Sequence, residues 1–321
     1  MNNLVTSHAM DAMTSADSIE WLPTPDGHRI PFRHWPVAEP RAVFHIVHGM
    51  AEHSGCYADV AALLNQAGYA VIAHDHRCHG LSVSQGALGN TSLTQHWAGL
   101  CADMDIVNAE VRRRHPDLPV VLLGHSMGSF VAQAFVQRHS ELANLLLIEG
   151  SSYQAPWFTA VAGLLIRFEA WRQGDHGRSP LINALSFGGF NKAIKKPRTA
   201  FDWVSRDTAF VDRYVNDPLC GYQLSNGYWR GFIKGLNALY RPAAMRRIRS
   251  DLPVYLFAGD RDPAGHNGRA MEKLAQVYRE VVGSRDVTLR LYPGARHDIL
   301  HETNRDEVLA DLLGWVGRHL P

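Results

Sequence analysis

The 321 residues predict an α/β fold with a mostly parallel central sheet, helices on both faces and one long insertion. Three observations lead there. Short apolar, β-branched-rich runs alternate with helical lengths of chain, which makes the strands parallel and the helices their crossovers. Gly124-His125-Ser126-Met127-Gly128 stands between such a run and a helical pattern, the setting of a nucleophile elbow, where a serine is held on a sharp strand-to-helix turn. The alternation stops after Gly150 and resumes only near residue 250.

Met1 to Asp17 is polar and mixed, without the basic start and apolar block of a secretion signal, and reads as a flexible tail. Ser18 to Leu22 and His28 to Trp35 flank Pro25-Asp26-Gly27, which predicts an antiparallel hairpin at a sheet edge. Ala42 to Val47 is a third strand, ending at His48-Gly49. Tyr57 to Gln66 reads as a helix closed by Gly68, and Tyr69 to Ala73 as the next strand. Trp97, Leu100, Cys101, Met104, Val107 and Val111 recur at helical spacing, which gives a long amphipathic helix to about Arg114. Leu118 to Leu123 is the strand that feeds the elbow, Ser129 to Arg138 the helix that leaves it, and Leu145 to Ile148 a further strand. The stretch 151–250 is aromatic-rich, broken by Gly and Pro, and shows no clear strand, so it reads as an inserted cap. Strand Val254 to Phe257, helix Gly268 to Val282, strand Val287 to Tyr292 and helix Arg305 to His319 complete a core made of 18–150 and 251–321.

Composition narrows the function. Apolar residues are 46% and charged residues 20% of the chain, ordinary for a globular protein. The formal net charge of +1 provides no field for nucleic acid. Cys56, Cys78, Cys101 and Cys220 have no CxxC spacing, which argues against a disulfide framework or zinc knuckle and suits a reducing cytoplasm. The apolar window Phe158 to Phe168 is too short to span a bilayer. Oligomeric state is not legible.

A serine hydroxyl needs a base to take its proton and a third group to orient that base. In folds with this elbow the acid and then the histidine follow the serine, at the ends of the last strands. Val254 to Phe257 runs into Gly259-Asp260-Arg261-Asp262, and the last strand runs into Pro293-Gly294-Ala295-Arg296-His297. His297 is the expected base for Ser126, with His301 already approaching the final helix. Either Asp260 or Asp262 supplies the acid, the other capping the turn through backbone amides. Negative charge on the attacked carbonyl oxygen calls for backbone donors: Met127 at the helix N-terminus, and Met50 in the loop after the third strand, where Gly49 lets the chain bend close.

The segments His48-Gly49-Met50-Ala51-Glu52-His53-Ser54-Gly55-Cys56-Tyr57, Asp75-His76-Arg77-Cys78-His79-Gly80-Leu81-Ser82 and Gly124-His125-Ser126-Met127-Gly128 resemble the monoacylglycerol lipase and lysophospholipase branch of the α/β-hydrolases, also classed with serine aminopeptidases. The likeness covers roughly residues 20–150 and 250–320. It implies a Ser–Asp–His triad whose acid lies three residues after a glycine, as Asp262 does after Gly259. It implies oxyanion donors at Met50 and Met127, a cap over an acyl pocket, and no metal or organic cofactor. Ala51 and Cys78 stand where relatives usually carry glycine, and Ser129 follows the elbow where a further glycine is common. A rival is the run His74-Asp75-His76-Arg77-Cys78-His79, which nearly spells a zinc-hydrolase H-x-H-x-D-H. Cys78 replaces its aspartate, and the bland reading has Asp75 and Arg77 tying the loop to the sheet end.

In the insertion, Trp157, Phe158, Val161, Leu164, Leu165 and Phe168 form a helical stripe. It is expected to bury against the core, or to line an acyl-chain pocket above Ser126, with Trp157, Leu164, Leu165 and Phe168 on the substrate. Lys192, Lys195, Lys196 and Arg198 form a basic cluster, a solvated face or a peripheral membrane contact. Tyr222, Tyr228, Trp229 and Phe232 are candidates for the walls of the entrance. The expected activity is hydrolysis of a single-chain lipid ester through an acyl-serine; peptidase action or a silent ligand-binding fold are the alternatives.

Overall fold

A computed structural model describes residues 19–91, 96–154 and 156–320; the expected tail, 1–17, and Ser18 lie outside the described residues. The hairpin forms from β1 (Ile19–Pro23) and β2 (Arg29–Trp35), in register Ile19↔Arg33, and Gly27 turns it at φ 82°. Then follow β3 (Val43–Val47), α1 (Ala58–Gln66), β4 (Ala70–His74), α2 (His96–Arg114), β5 (Val120–His125), α3 (Met127–His139) and β6 (Leu145–Glu149). After a long helical segment come β7 (Val254–Gly259), β8 (Val287–Tyr292) and the helices Arg269–Val277 and Arg305–His319.

The eight strands form one sheet in the order β1-β2-β4-β3-β5-β6-β7-β8, antiparallel only at β1–β2 and β2–β4. The middle strands β3, β4, β5, β6 and β7 are buried at every residue, because helices cover both faces; hence their unbroken apolar runs. All the parallel strands end at one edge of the sheet, which collects the loops after β3, β5, β7 and β8.

Between β6 and β7 the described residues hold helices and no strand: α4 (Pro156–Gln173), α5 (Pro180–Ser186), α6 (Thr208–Asn216) and α7 (Asn226–Leu239). Side chains of the preceding residue start three of them. Ser179 accepts from Ile182 N–H, Asp207 from the N–H groups of Ala209 and Phe210, and Ser225 from Tyr228 N–H.

The stripe on α4 does not bury as expected. Trp157, Phe158, Val161, Leu164, Phe168 and Trp171 are all exposed, Trp157 at 70% and Trp171 at 80%. The helix packs on α7 through its other side, where Thr159, Ile166 and Glu169 are buried. Polar contacts fix that side: Thr159 Oγ1 donates to Asn237 Oδ1, and Ser179 Oγ donates to Glu169 Oε2 at 2.6 Å. Periodicity reveals a stripe; these buried hydrogen bonds decide where it points.

Candidate active site

Ser126 sits on the turn between β5 and α3 at φ 49°, ψ −119°, strained for a residue with a β-carbon. The turn is tight enough to require its glycines. A β-carbon on Gly124 would stand 2.6 Å from Ser129 Cα, and one on Gly128 would overlap the Val47 carbonyl. Ser126 N–H donates to Glu149 O at 2.9 Å, which pins the turn to the end of β6.

The loop after β8 brings His297 to the serine and the loop after β7 brings Asp262 to the histidine. Ser126 Oγ lies 2.9 Å from His297 Nε2, and His297 Nδ1 lies 3.0 Å from Asp262 Oδ1. His297 and Asp262 are buried. Asp262 Oδ1 also accepts from Ala264 N–H at 2.8 Å. Asp260 instead accepts from Gly294 N–H at 2.7 Å and so joins the two loops. The geometry separates the two aspartates that the loop sequence left open.

Gly49 passes so near the serine that a β-carbon there would stand 3.2 Å from Ser126 Cβ. The loop is held from inside by Glu52, whose Oε1 accepts from Gly49 N–H and, at 2.8 Å, from Tyr57 O–H. It is held from outside by Tyr214 O–H and Gly221 N–H, both donating to Ala51 O at 2.9 Å. Met50 follows Gly49 on this loop, and Met127 opens α3, whose first amides have no intrahelical acceptor. The two residues named from sequence as donors thus lie on the loop that approaches Ser126 and at the start of the helix that follows it.

Other contacts were not legible. The Trp203 ring centroid lies 5.1 Å from that of His297, and Asp298 N–H donates to Val204 O at 2.8 Å. Below the elbow, His125 Nδ1 faces Glu149 Oε2 at 3.2 Å; burial disfavours its charge, yet Glu149 and Asp298 raise it to about 10. Glu149 Oε1 accepts from the N–H groups of Ile299 and Leu300, and His301 Nδ1 lies 2.9 Å from Asp298. Its only traces in the sequence do not join its members: Glu149 closes an otherwise apolar strand, and Asp298 and His301 are three apart just past His297.

The residues proposed for substrate contact divide. Trp157 and Phe168 face solvent. Leu165 is half-buried, and Leu164 edges a cavity of about 690 Å³ between α4 and α7, lined by Ile233, Leu236 and Tyr240 and also by the cationic Arg167, Arg230, Lys234 and Arg241. Tyr240 O–H donates to Ser152 O at 2.7 Å, and its ring packs on Phe130 in the nucleophile helix. Tyr228, Trp229 and Phe232 are buried rather than lining an open entrance, and Tyr228 O–H reaches Met127 Sδ at 2.7 Å. Lys192, Lys195, Lys196 and Arg198 are exposed.

The zinc-like run does the structural work of the bland reading. Asp75 accepts from Ser54 N–H at 2.9 Å and Leu81 N–H at 2.8 Å, and Arg77 pairs with Asp103 at 2.7 Å. Among the described residues, the groups whose ligand atoms converge are His53, Cys56 and Cys220, and Glu52, His125 and Asp298; His74, His76 and His79 form no such group.

Residues 38–304 match the family described as serine aminopeptidase, S33. The chain is 29% identical to a monoacylglycerol lipase of Mycolicibacterium smegmatis over 92% of its own length and 95% of that protein. It is 29% identical to a monoglyceride lipase of Rattus norvegicus, over 92% of this chain and 89% of the other. In fold it matches a thermostable carboxyl esterase from Bacillus coagulans with a TM-score of 0.84, at 23% identity over 95% of this chain and 99% of that one.

Proposed function

The chain belongs to the serine aminopeptidase S33 family of α/β-hydrolases and is a carboxylic ester hydrolase; from that premise we propose that it cleaves single-chain lipid esters, of the monoacylglycerol or lysophospholipid kind, through an acyl-serine. The observation that carries this is the placement of His297 between Ser126 and Asp262, with Nε2 2.9 Å from Ser126 Oγ and Nδ1 3.0 Å from Asp262 Oδ1. His297 Nδ1–H turned toward Asp262 leaves Nε2 as acceptor for the serine proton. Ser126 attacks the ester carbonyl, His297 takes its proton and returns it to the departing alkoxide, and the Met50 and Met127 amides receive the oxyanion. Water then repeats the sequence on the acyl-serine. None of these steps calls on a metal or organic cofactor.

The acyl chain is assigned to the cavity between α4 and α7, of a size that suits a lipid tail, with residues 151–250 as the cap that carries it. The exposed α4 stripe is the proposed peripheral contact with a lipid surface, since contiguous exposed apolar side chains mark such sites. No helix among the described residues is long and apolar enough to cross a membrane, and the scattered cysteines fit a cytoplasmic location.

Ser126→Ala is expected to lower kcat by on the order of 10⁶-fold without unfolding the protein, and a fluorophosphonate is expected to label the parent enzyme and not the variant. Labelling elsewhere, or none, would return the chain to a silent binding fold. The family's description favours a second reading, amide hydrolysis. Paired kcat/KM values for p-nitrophenyl acyl esters and amino-acid anilides decide it, and preference for the anilides overturns the lipid reading.

A further inference from the structure

Outside the relay, one cluster brings together a thiol from the core and a thiol from the insertion. Cys56 lies in the turn Ser54–Tyr57, just past the loop that carries Met50, and Cys220 lies between α6 and α7. Their sulfurs are 3.7 Å apart, both residues are half-buried, and both line a cavity of about 490 Å³ with His53, Tyr214 and Asp217. We propose that Cys56 and Cys220 are an oxidation site, closing to a reversible disulfide that ties the insertion to the oxyanion loop. This goes beyond the ester-hydrolase reading and does not depend on it.

The pair is set up asymmetrically. The contact with Cys220 holds the Cys56 thiol well below its ordinary range, while the same contact and burial push Cys220 up. Cys56 is therefore the attacking thiolate and Cys220 the resolving thiol. With a peroxide as oxidant, Cys56 sulfur attacks one oxygen, the O–O bond breaks and hydroxide leaves, giving a sulfenic acid. Cys220 sulfur then attacks Cys56 sulfur; the S–S bond forms, the S–O bond breaks, and the departing hydroxide takes the Cys220 proton. Two thiols and one hydrogen peroxide give one disulfide and two waters.

The same residues look like a metal site, since His53, Cys56 and Cys220 place ligand atoms within 4.8 Å of one another. Both ring nitrogens of His53 are engaged, however, Nδ1 accepting from Gly55 N–H at 3.1 Å and Nε2 facing Asp217 at 3.0 Å. Two sulfurs without the imidazole are a poor cage, which favours the disulfide. The bond would make covalent a junction already formed by Gly221 N–H and Tyr214 O–H on Ala51 O.

The test treats the full chain with limiting hydrogen peroxide, maps peptides without reduction and follows turnover of a long-chain p-nitrophenyl ester. The expected result is a linked Cys56–Cys220 peptide, loss of two of the four thiols, and a several-fold fall in turnover that dithiothreitol reverses. Cys220→Ser and, separately, Cys220→Ala should lose the linked peptide and the reversible fall. The proposal is overturned if the parent chain yields no linked peptide, if Cys78 or Cys101 oxidises first, if the bond forms with turnover unchanged, or if zinc added alone binds and shields both thiols. The peptide map needs no catalysis, so failure here is distinguishable from failure of the hydrolase reading.

Discussion

Asp260 and Asp262 are two residues apart in one loop, yet their surroundings give them different work. Asp262 faces His297 Nδ1 from a buried position, whereas Asp260 ties its loop to Gly294. Asp262→Asn is expected to cut kcat by about 10⁴-fold by removing the charge that holds the histidine tautomer. Asp260→Asn should cost less than tenfold, in stability more than in rate. Parallel kcat measurements on the two variants check this, and a larger loss at Asp260 would refute the assignment. Two residues with a β-carbon in the left-handed region carry a different lesson. Ala51 and Cys78 adopt φ 57° and φ 67°, the left-handed region that favours glycine. The strain costs roughly 1–2 kcal/mol per residue, partly offset because glycine adds freedom to the unfolded chain. Ala51→Gly should therefore stabilise the fold by about 0.5–1 kcal/mol, read as a higher urea midpoint; a lower midpoint would show that the loop tolerates alanine without strain. The approach of His297 to Ser126 was legible because each lies just past the end of a strand in a fixed order. The buried His125–Glu149–Asp298 group was not, because its members are brought together only by the sheet edge.

Among elements, α4 shows how far periodicity reaches. Trp157, Val161, Leu164, Phe168 and Trp171 recur at helical spacing, so the helix and its apolar side are readable from the chain. Its orientation is not, since it follows from buried partners such as Asn237 and Ser179 that lie far away in sequence. The same limit applies to the segment between β6 and β7 as a whole: its lack of strands is legible, its packing is not. In contrast the central strands are legible as buried because both their faces are apolar. If the exposed side of α4 meets lipid, Val161→Glu with Trp171→Glu should reduce cosedimentation with phosphatidylcholine vesicles at least tenfold and slow hydrolysis of emulsified monoacylglycerol. Hydrolysis of soluble p-nitrophenyl acetate should be unchanged, because both side chains point away from the described core. Undiminished vesicle binding would remove α4 from the contact.

The molecule as a whole carries a consequence of its histidines, eighteen in the chain. His45, His48, His74, His76, His79 and His96 are buried in the core beside the sheet end, in ring contacts such as His48–His76 and His96–Tyr228. Burial holds all six below the ordinary imidazole range, His74 and His79 to about 4 and His96 to about 3. These groups are neutral in the folded state down to low pH, whereas in the unfolded chain they protonate near 6.5. Below pH 6.5 the unfolded state therefore binds more protons, and stability falls as pH falls. His125 and His301, raised by their carboxylate partners, are protonated in both states there and do not oppose the trend; their contribution is lost only as pH rises. Each of the six costs about 1.4 kcal/mol per pH unit below 6.5, so one unit offsets an amount on the order of the whole stability of a domain. Tm should rise as pH falls from 8 to 6.5, where His125 and His301 hold protons that the unfolded chain lacks, and then drop steeply toward pH 5 as the six imidazoles take over. Thermal melts across that range check it: a Tm at pH 5 equal to that at pH 7.5 would mean that the six imidazoles take up protons in the folded protein, and that water reaches the space beside the strand ends.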